Sequence, residues 1–582
     1  MIFAHSHSSN NDIMVFSSFI TIDTMTKEAA MPGFDHSKYS PHLPLQLSDR
    51  TWPDKVIEQA PSWCSVDLRD GNQALIEPMT VAQKLQLFEL LVKVGFKEIE
   101  VGFPAASQTD FDFVRCLIEQ QLIPDDVKVQ VLTQAREDLI SRSYESLKGV
   151  KQAIVHVYNS TSTVQREKVF GLDQAGIKAI AVKGAEWVMQ YAAAQPETDW
   201  YFQYSPESFT GTEIDYAIEV CDAVIDVWQP TPERPIILNL PATVEMTTPN
   251  VYADQIEYFS RHVQSRDAVL VSLHTHNDRG CAVAAAELAV QGGADRVEGT
   301  LLGNGERTGN MDIVTMGMNL YSRGVDPQLD FSNIDEIIQV VKACTNLPVH
   351  PRHPYAGELV FTAFSGSHQD AIKKCLAVQQ GDQPWDVAYL PIDPADLGRS
   401  YQEVIRINSQ SGKGGIAYVL EQMRGLQLPR WLQIDFSTVV QQHAEQSEAE
   451  VSPEAIWTLF QQHYLDQQTP YSLEAFEISH RAGHDHLVAK LLRDDQPVEV
   501  VAEGAGVVES FVGGLAELLG HELVLVDYSE HALSHNVHSE AACYVQMNIA
   551  GQRLSGVGLS RDIVDASLQA ILCAVNNYLR SS

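Results

Sequence analysis

Two short segments of this 582-residue chain hold the residue types that bind metal ions. The first is Ser65-Val-Asp67-Leu-Arg69-Asp70-Gly71-Asn72-Gln73, which follows a short apolar run. Asp70 offers a hard oxygen to a divalent cation, and Arg69 beside it can stabilise an oxyanion or a carboxylate. In isolation, Arg-Asp-Gly reads more simply as a turn with a structural ion pair. The second segment is His274-Thr-His276-Asn277-Asp278. Alternate residues of a strand share a face, so both imidazoles can reach one ion. Two histidines and one carboxylate leave coordination positions open for a substrate. Alone, His-x-His also fits a polar strand end; opposite Asp70 across one mouth, it reads as a ligand pair.

Two further segments suit the same mouth. Gly303-Asn-Gly305-Glu-Arg-Thr-Gly309-Asn310 lets backbone approach a ligand closely, and Asn310 adds a carbonyl oxygen. It lacks the Gly-Lys-Ser/Thr of a phosphate-binding P-loop. Gln203-Tyr-Ser205-Pro-Glu207 supplies Glu207 as a candidate general base or proton relay, with His156 and Thr243 at neighbouring strand ends. Each of these, taken singly, is as well explained by hydrogen-bonded scaffold.

The elements that must position them alternate regularly between residues 60 and 325. Short β-branched runs at Trp63–Val66, Glu98–Val101, Val127–Leu132, Ala153–Val157, Trp200–Tyr204, Ile236–Asn239, Val269–Leu273 and Arg296–Leu301 are separated by amphipathic stretches such as Val81–Val94, Asp173–Ala194, Glu213–Val227, Val251–Val263 and Cys281–Gln291. Eight strands with helical connectors predict an α/β fold, a (β/α)8 TIM barrel over 41–330 whose active face is the C-terminal end of its strands. A doubly wound sheet is the alternative, weakened because no G-x-G-x-x-G follows the first strand.

The rest of the chain is punctuated differently. Prolines 348, 351, 354, 384, 391, 394 and 429 mark 331–430 as a connector of small helices, which carries Phe364-Ser-Gly-Ser-His368-Gln-Asp370. Residues 431–470 read as a solvated helical subdomain. Between 471 and 582 a weak repeat starts at Gln496 and again at Gln552, each copy running into a helix. Such a unit cannot bury its sheet alone, so two are expected to pack as an α+β domain with an internal ββα repeat. Gly504 and Gly506 precede a helix whose N–H groups suit a carboxylate, with Tyr528 and Ala532 on the next element.

Composition excludes several classes. With a net charge of −36, the chain should be repelled by phosphate backbones and anionic membranes, which argues against nucleic-acid and membrane partners. Eight cysteines without a C-x-x-C form neither a disulfide framework nor a zinc ribbon, which points to a reducing cytoplasm. Residues 1–40 read as a polar, poorly ordered extension; with no arginine before Arg50, an Arg-rich transit peptide is not expected.

Val66-Asp-Leu-Arg-Asp-Gly-Asn-Gln, Glu100-Val-Gly-Phe-Pro, Asn239-Leu-Pro-Ala-Thr-Val-Glu, His-Thr-His-Asn-Asp and Gly303-Asn-Gly-Glu-Arg-Thr-Gly-Asn together resemble the longer class of 2-isopropylmalate synthases, Claisen-condensing TIM-barrel acyltransferases. The likeness is strong over about 40–430, including Leu390-Pro-Ile-Asp-Pro and Asn408-Ser-Gln-Ser-Gly-Lys-Gly-Gly, and looser beyond. It implies that Asp70, His274 and His276, with Asn310 beside them, hold a divalent metal: Mg2+ first, Mn2+ or Zn2+ otherwise. A monovalent cation such as K+ is a candidate activator. Arg69 would stabilise an alkoxide, and His156, Tyr158, Ser205 and Thr243 would contact the keto acid. Glu207, His368 and Tyr401 would move protons, the last two from a neighbouring subunit. The resemblance implies a homodimer that joins acetyl-CoA to 3-methyl-2-oxobutanoate, gives (2S)-2-isopropylmalate and CoA, and is inhibited by leucine at Gly504, Gly506, Tyr528 and Ala532. Citramalate or homocitrate synthesis, a hydroxymethylglutaryl-type lyase, or a non-catalytic metabolite sensor remain as alternatives. Three positions depart from the pattern: Thr275 stands where proline is common, Ala505 where asparagine is expected, and Glu509 where a small residue is expected.

Overall fold

The computed structural model describes residues 36–40, 45–399, 413–447, 451–481, 483–533 and 540–581. Tyr401, residues 408–412 of the segment beginning at Asn408, and most of the proposed extension over 1–40 lie outside the described residues. The chain divides into Met1–Gln46 and Leu47–Ser582. In the first unit the described part is a short turn at His36–Lys38.

Eight parallel strands close a barrel in chain order: β1 Ser62–Ser65, β2 Glu98–Gly102, β3 Lys128–Gln134, β4 Gln152–Ser160, β5 Asp199–Glu207, β6 Ile236–Ala242, β7 Val269–Thr275 and β8 Arg296–Gly299. β1 pairs with β8, with Ser62 opposite Arg296, so no edge is left open. Eight helices alternate with them: α1 Val81–Val94, α2 Gln108–Glu119, α3 Glu137–Ser146, α4 Gln174–Ala193, α5 Ile214–Trp228, α6 Pro249–His262, α7 Ala282–Gln291 and α8 Ile313–Tyr321. Local chemistry sets their ends. At α1, Thr80 and Gln83 form a reciprocal capping box, and Gly95 ends the helix at φ 115°. Leu87, Phe88, Leu91 and Val94 then face the core.

The strands sort their residues by period two. Ile99, Val101, Val129, Val131, Val155, Val157, Phe202 and Leu238 are buried and apolar. The alternating positions are buried and polar: Glu98, Glu100, Gln130, His156, Gln203, Asn239, Arg296 and Glu298. Those polar side chains bond to one another across the lumen, Arg296 Nε to Glu98 at 2.6 Å and Gln203 Nε2 to Glu298 at 2.8 Å. Branched apolar layers are the usual barrel filling, so this interior is unusually charged.

Beyond the barrel come α9 Ile334–Thr345, α10 Gly366–Val378, α11 Lys413–Arg424, α12 Arg430–Ser447 and α13 Pro453–Phe460. The C-terminal region has β9 Tyr471–Arg481, β10 His484–Arg493, β11 Gln496–Gly504 and α14 Val507–Leu519, then β12 Leu523–Ala532, β13 Ala541–Ile549, β14 Gln552–Ser560 and α15 Ile563–Ser581. The sheets run β11-β10-β9 and β12-β13-β14. Each unit is therefore βββα, not the expected ββα. The uncounted strands, β9 and β12, are edge strands carrying Glu474, Glu477, Asp527 and Glu530, and such charge hides a strand's apolar alternation. Gly558 is required where α15 crosses β14, since a Cβ there would lie 2.0 Å from the Ala566 carbonyl oxygen on the helix. His531 on β12 meets the connector, its Nε2 3.0 Å from the Gly425 carbonyl oxygen. Among the described residues, no helix is long and apolar enough to cross a membrane.

Candidate active site

After β1 the chain makes one wide turn, Asp67–Gly71, that delivers Arg69 and Asp70 to the C-terminal mouth. Buried Lys84 holds this turn from below, donating to the Leu68 carbonyl at 2.7 Å and pairing with Asp110 at 2.6 Å. β7 delivers His274, with His276 just beyond its end, and Asn310 bridges to His276 through backbone pairing.

Asp70, His274 and His276 are buried, and their donor atoms lie within 4.8 Å of one another. Asp70 Oδ2 is 3.2 Å from His274 Nε2 and 3.6 Å from His276 Nε2, and the two imidazole nitrogens are 3.2 Å apart. Asn310 Nδ2 donates to Asp70 Oδ2 at 2.7 Å. A Cβ on Gly305 would fall 1.8 Å from Asn310 Oδ1, so only glycine lets Asn310 sit here.

The electrostatics are those of a site that attracts positive charge. Burial would raise the Asp70 carboxyl, but Arg69, then His274 and His276, hold it far below the ordinary carboxylate range. Burial would lower His274, yet its bonds to Asp70 and Glu298 outweigh that and raise it to about 9. His276 is lowered to about 4 by burial and by its neighbour His274. His276 Nδ1 and Asn310 Oδ1 are buried with no hydrogen-bond partner among the described residues. Amide oxygen and nitrogen exchange by a half-turn, which would aim Asn310 Oδ1 at the cluster. One carboxylate oxygen, two imidazole nitrogens and an orphaned amide oxygen fit a divalent cation.

A cavity of about 230 Å3 opens above the cluster, lined by Arg69, His156, Tyr158, Ser205, Glu207 and Thr243 among others. Arg69 Nη1 pairs with Asp70 Oδ1 at 2.8 Å and its Nε with Glu100 Oε2 at 2.6 Å, so the guanidinium is fixed and its pKa is raised further. His156 lies between Glu100, 2.8 Å from Nδ1, and Ser205, 2.7 Å from Nε2. Tyr158 OH accepts from Gln134 at 3.0 Å. Glu207 accepts from the Ser160 hydroxyl, and Thr243 Oγ1 accepts from the Ser208 N–H at 3.0 Å.

Every barrel residue singled out in the sequence is thus drawn to one mouth. His368 is not: it is exposed on α10 and stacked on Tyr389 at 4.0 Å. In the C-terminal domain a cavity of about 720 Å3 is lined by Gly506 and Glu509 together with Val512 and Leu523–Leu525, but not by Gly504, Tyr528 or Ala532. Tyr528 instead bonds Ser567 at 2.8 Å. The mouth also holds Asn239, Glu306 and Arg307, whose roles the sequence did not single out. Arg307 clamps Asp278 at 2.7 Å.

Barrel and site define the class first: a family model described as HMGL-like matches residues 60–341. Models described as the alpha-isopropylmalate synthase post-catalytic domain and the LeuA allosteric (dimerisation) domain match 358–421 and 450–579. Among curated relatives, the 2-isopropylmalate synthase of Parafrankia sp. (strain EAN1pec) is 57% identical over 558 residues, 94% of this chain and 99% of that one. Those of Alcanivorax borkumensis and Rhodospirillum rubrum are 55% and 56% identical over 94% and 93% of this chain and 99% and 98% of their own lengths. The chain belongs to the 2-isopropylmalate synthase family.

Proposed function

We propose that this chain joins acetyl-CoA to 3-methyl-2-oxobutanoate and hydrolyses the thioester formed, giving 2-isopropylmalate and CoA, the entry to leucine biosynthesis. One observation carries the reading: three buried donors, Asp70, His274 and His276, converge within 4.8 Å at the mouth of a barrel of this family. They would hold a divalent cation with Asn310 beside them. Mg2+ follows from the resemblance, while two imidazole nitrogens suit Mn2+ or Zn2+ as well. When bound, such a cation supplies Lewis acidity toward a keto carbonyl.

The chain's own groups do the rest. Arg69, permanently charged and braced by Asp70 and Glu100, faces the oxygen that becomes an alkoxide. Glu207, held by the Ser160 hydroxyl, takes a proton from the acetyl methyl. His156, Tyr158, Ser205 and Thr243 orient the keto acid. His368 and Tyr401 of a neighbouring subunit complete proton transfer in a homodimer. Leucine binds at the C-terminal domain through Gly504, Gly506, Tyr528 and Ala532 and lowers activity, K+ is an activator, and the enzyme works in the cytoplasm, where eight unbridged cysteines are at home.

The test is thiol release from acetyl-CoA with a panel of 2-keto acids. The 3-methyl-2-oxobutanoate reaction should exceed that of pyruvate roughly 10-fold or more, since pyruvate lacks two methyl-sized groups and the loss of even one provides that discrimination. A preference for pyruvate or 2-oxoglutarate would refute the assignment.

A further inference from the structure

Glu298 on β8 is fully buried below the metal cluster, and its two oxygens have separate partners. Oε1 accepts from Arg296 Nη1 at 2.8 Å, Gln203 Nε2 at 2.8 Å and Gln130 Nε2 at 3.2 Å. Oε2 faces His274 Nδ1 at 2.9 Å and accepts from Asn239 Nδ2 at 3.3 Å. A carboxylate beside Arg296 only accepts, so Glu298 keeps a proton on His274 Nδ1. Nε2 is then the nitrogen that faces the Asp70–His276 cluster, and its lone pair opens to a cation once the proton it directs at Asp70 in the free chain has left.

A second path leaves the same carboxylate and returns to the cluster from the other side. The second hydrogen of Asn239 Nδ2 goes to Ser205 Oγ at 3.1 Å. The Ser205 hydroxyl then donates to His156 Nε2 at 2.7 Å, and His156 Nδ1 donates to Glu100 Oε1 at 2.8 Å. Glu100 Oε2 takes Arg69 Nε at 2.6 Å, and Arg69 Nη1 meets Asp70 Oδ1 at 2.8 Å. Carboxylates accept and guanidinium and amide nitrogens donate, so every proton in this circuit has one place.

We propose that Glu298 is a positioning residue that fixes the tautomer and ring angle of His274 on one side and, through Asn239 and Ser205, those of His156 on the other. Metal ligand and keto-acid contact are then set by one carboxylate that touches neither metal nor substrate. This rests on the assignment of Asp70, His274 and His276 as metal ligands.

The test is calorimetric titration of the chelator-stripped full chain with Mn2+. In Glu298→Gln the single amide oxygen stays with Arg296, the NH2 faces His274 Nδ1, and the imidazole must move its proton to Nε2, closing the lone pair that would bind metal. Mn2+ affinity should fall about 10- to 100-fold, the usual effect of losing a partner behind a ligand. Glu298→Asp keeps the charge opposite Arg296 but shortens the reach to His274, and should weaken Mn2+ in the same direction if Glu298→Gln folds poorly. Gln203→Met removes a bond from Oε1 alone and should bind Mn2+ as wild type does. Wild-type Mn2+ affinity in both Glu298 variants, or an equal loss in Gln203→Met, overturns the positioning role. Asp70→Ala is the anchor: if it too binds Mn2+ like wild type, the metal assignment fails and the proposal with it.

Discussion

Asp67 and Asp70 sit three residues apart on one buried turn, yet their carboxyls are driven in opposite directions. Arg69 and two imidazoles hold Asp70 ionised. Asp67 has no cation: burial prevails over its bonds from Ser65 and the Leu301 N–H and pushes it up to about 7. A carboxyl raised above its ordinary value binds a proton preferentially in the folded chain, so its contribution favours folding at low pH and is lost as pH rises through about 7. The thermal midpoint of wild type relative to Asp67→Asn should therefore fall between about pH 5 and about pH 8; parallel midpoint curves would contradict the assignment. For the proposed metal site, His276→Ala removes one of the three converging donors outright. It should cost at least about 10-fold in metal affinity or activity, and full activity in chelator-treated buffer would argue that the donor set is wrong. That Asp70, His274 and His276 converge was legible because His-x-His spacing is local and a barrel brings the ends of β1 and β7 to one mouth. Arg296 and Glu298 were not assigned, because their partners lie on other strands. The trace they leave is charge at alternate positions of short apolar runs, in Glu98-Ile-Glu100 and Arg296-Val-Glu298.

At the scale of elements, the barrel strands announced themselves because each packs a β-branched face against helices, whereas edge strands β9 and β12 face water and lose that signal. The start of α14 shows how an element can be found while its chemistry is altered by one side chain. The Ala505 N–H, at the helix start proposed to receive leucine's carboxylate, already donates to Glu509 Oε2 at 3.2 Å. Leucine bound here must compete with the chain's own carboxylate. Glu509→Ala should strengthen leucine inhibition several-fold, within the roughly 1–3 kcal/mol typical of coupling between sites. Gly506 has extended backbone and open space around its Cβ direction, so Gly506→Phe should fold and fill the cavity instead. Leucine titration of thiol release reads both. Inhibition of Gly506→Phe equal to wild type, or a wild-type chain insensitive to millimolar leucine, would remove the site.

At the scale of the whole molecule, the cavity holding Glu207 is lined without His368, which stands exposed on α10 in the connector. Proline spacing marks a connector but carries no sign of which barrel it serves, so the expectation that His368 serves a neighbouring mouth rests on resemblance alone. The match of residues 450–579 to a model described as a LeuA allosteric (dimerisation) domain makes a dimer the setting in which the proposed role of His368 is tested. Glu207→Ala and His368→Ala chains should each be inactive alone. If His368 acts across the dimer, a hybrid has one mouth with both defects and one with neither. Random exchange of equal amounts makes half the dimers hybrid, restoring about a quarter of wild-type sites. If His368 serves its own barrel, both mouths of the hybrid are defective and mixing restores nothing. Subunit exchange is verified separately by mass-tagging one variant; exchange without recovered thiol release would assign His368 to its own chain or to no catalytic role.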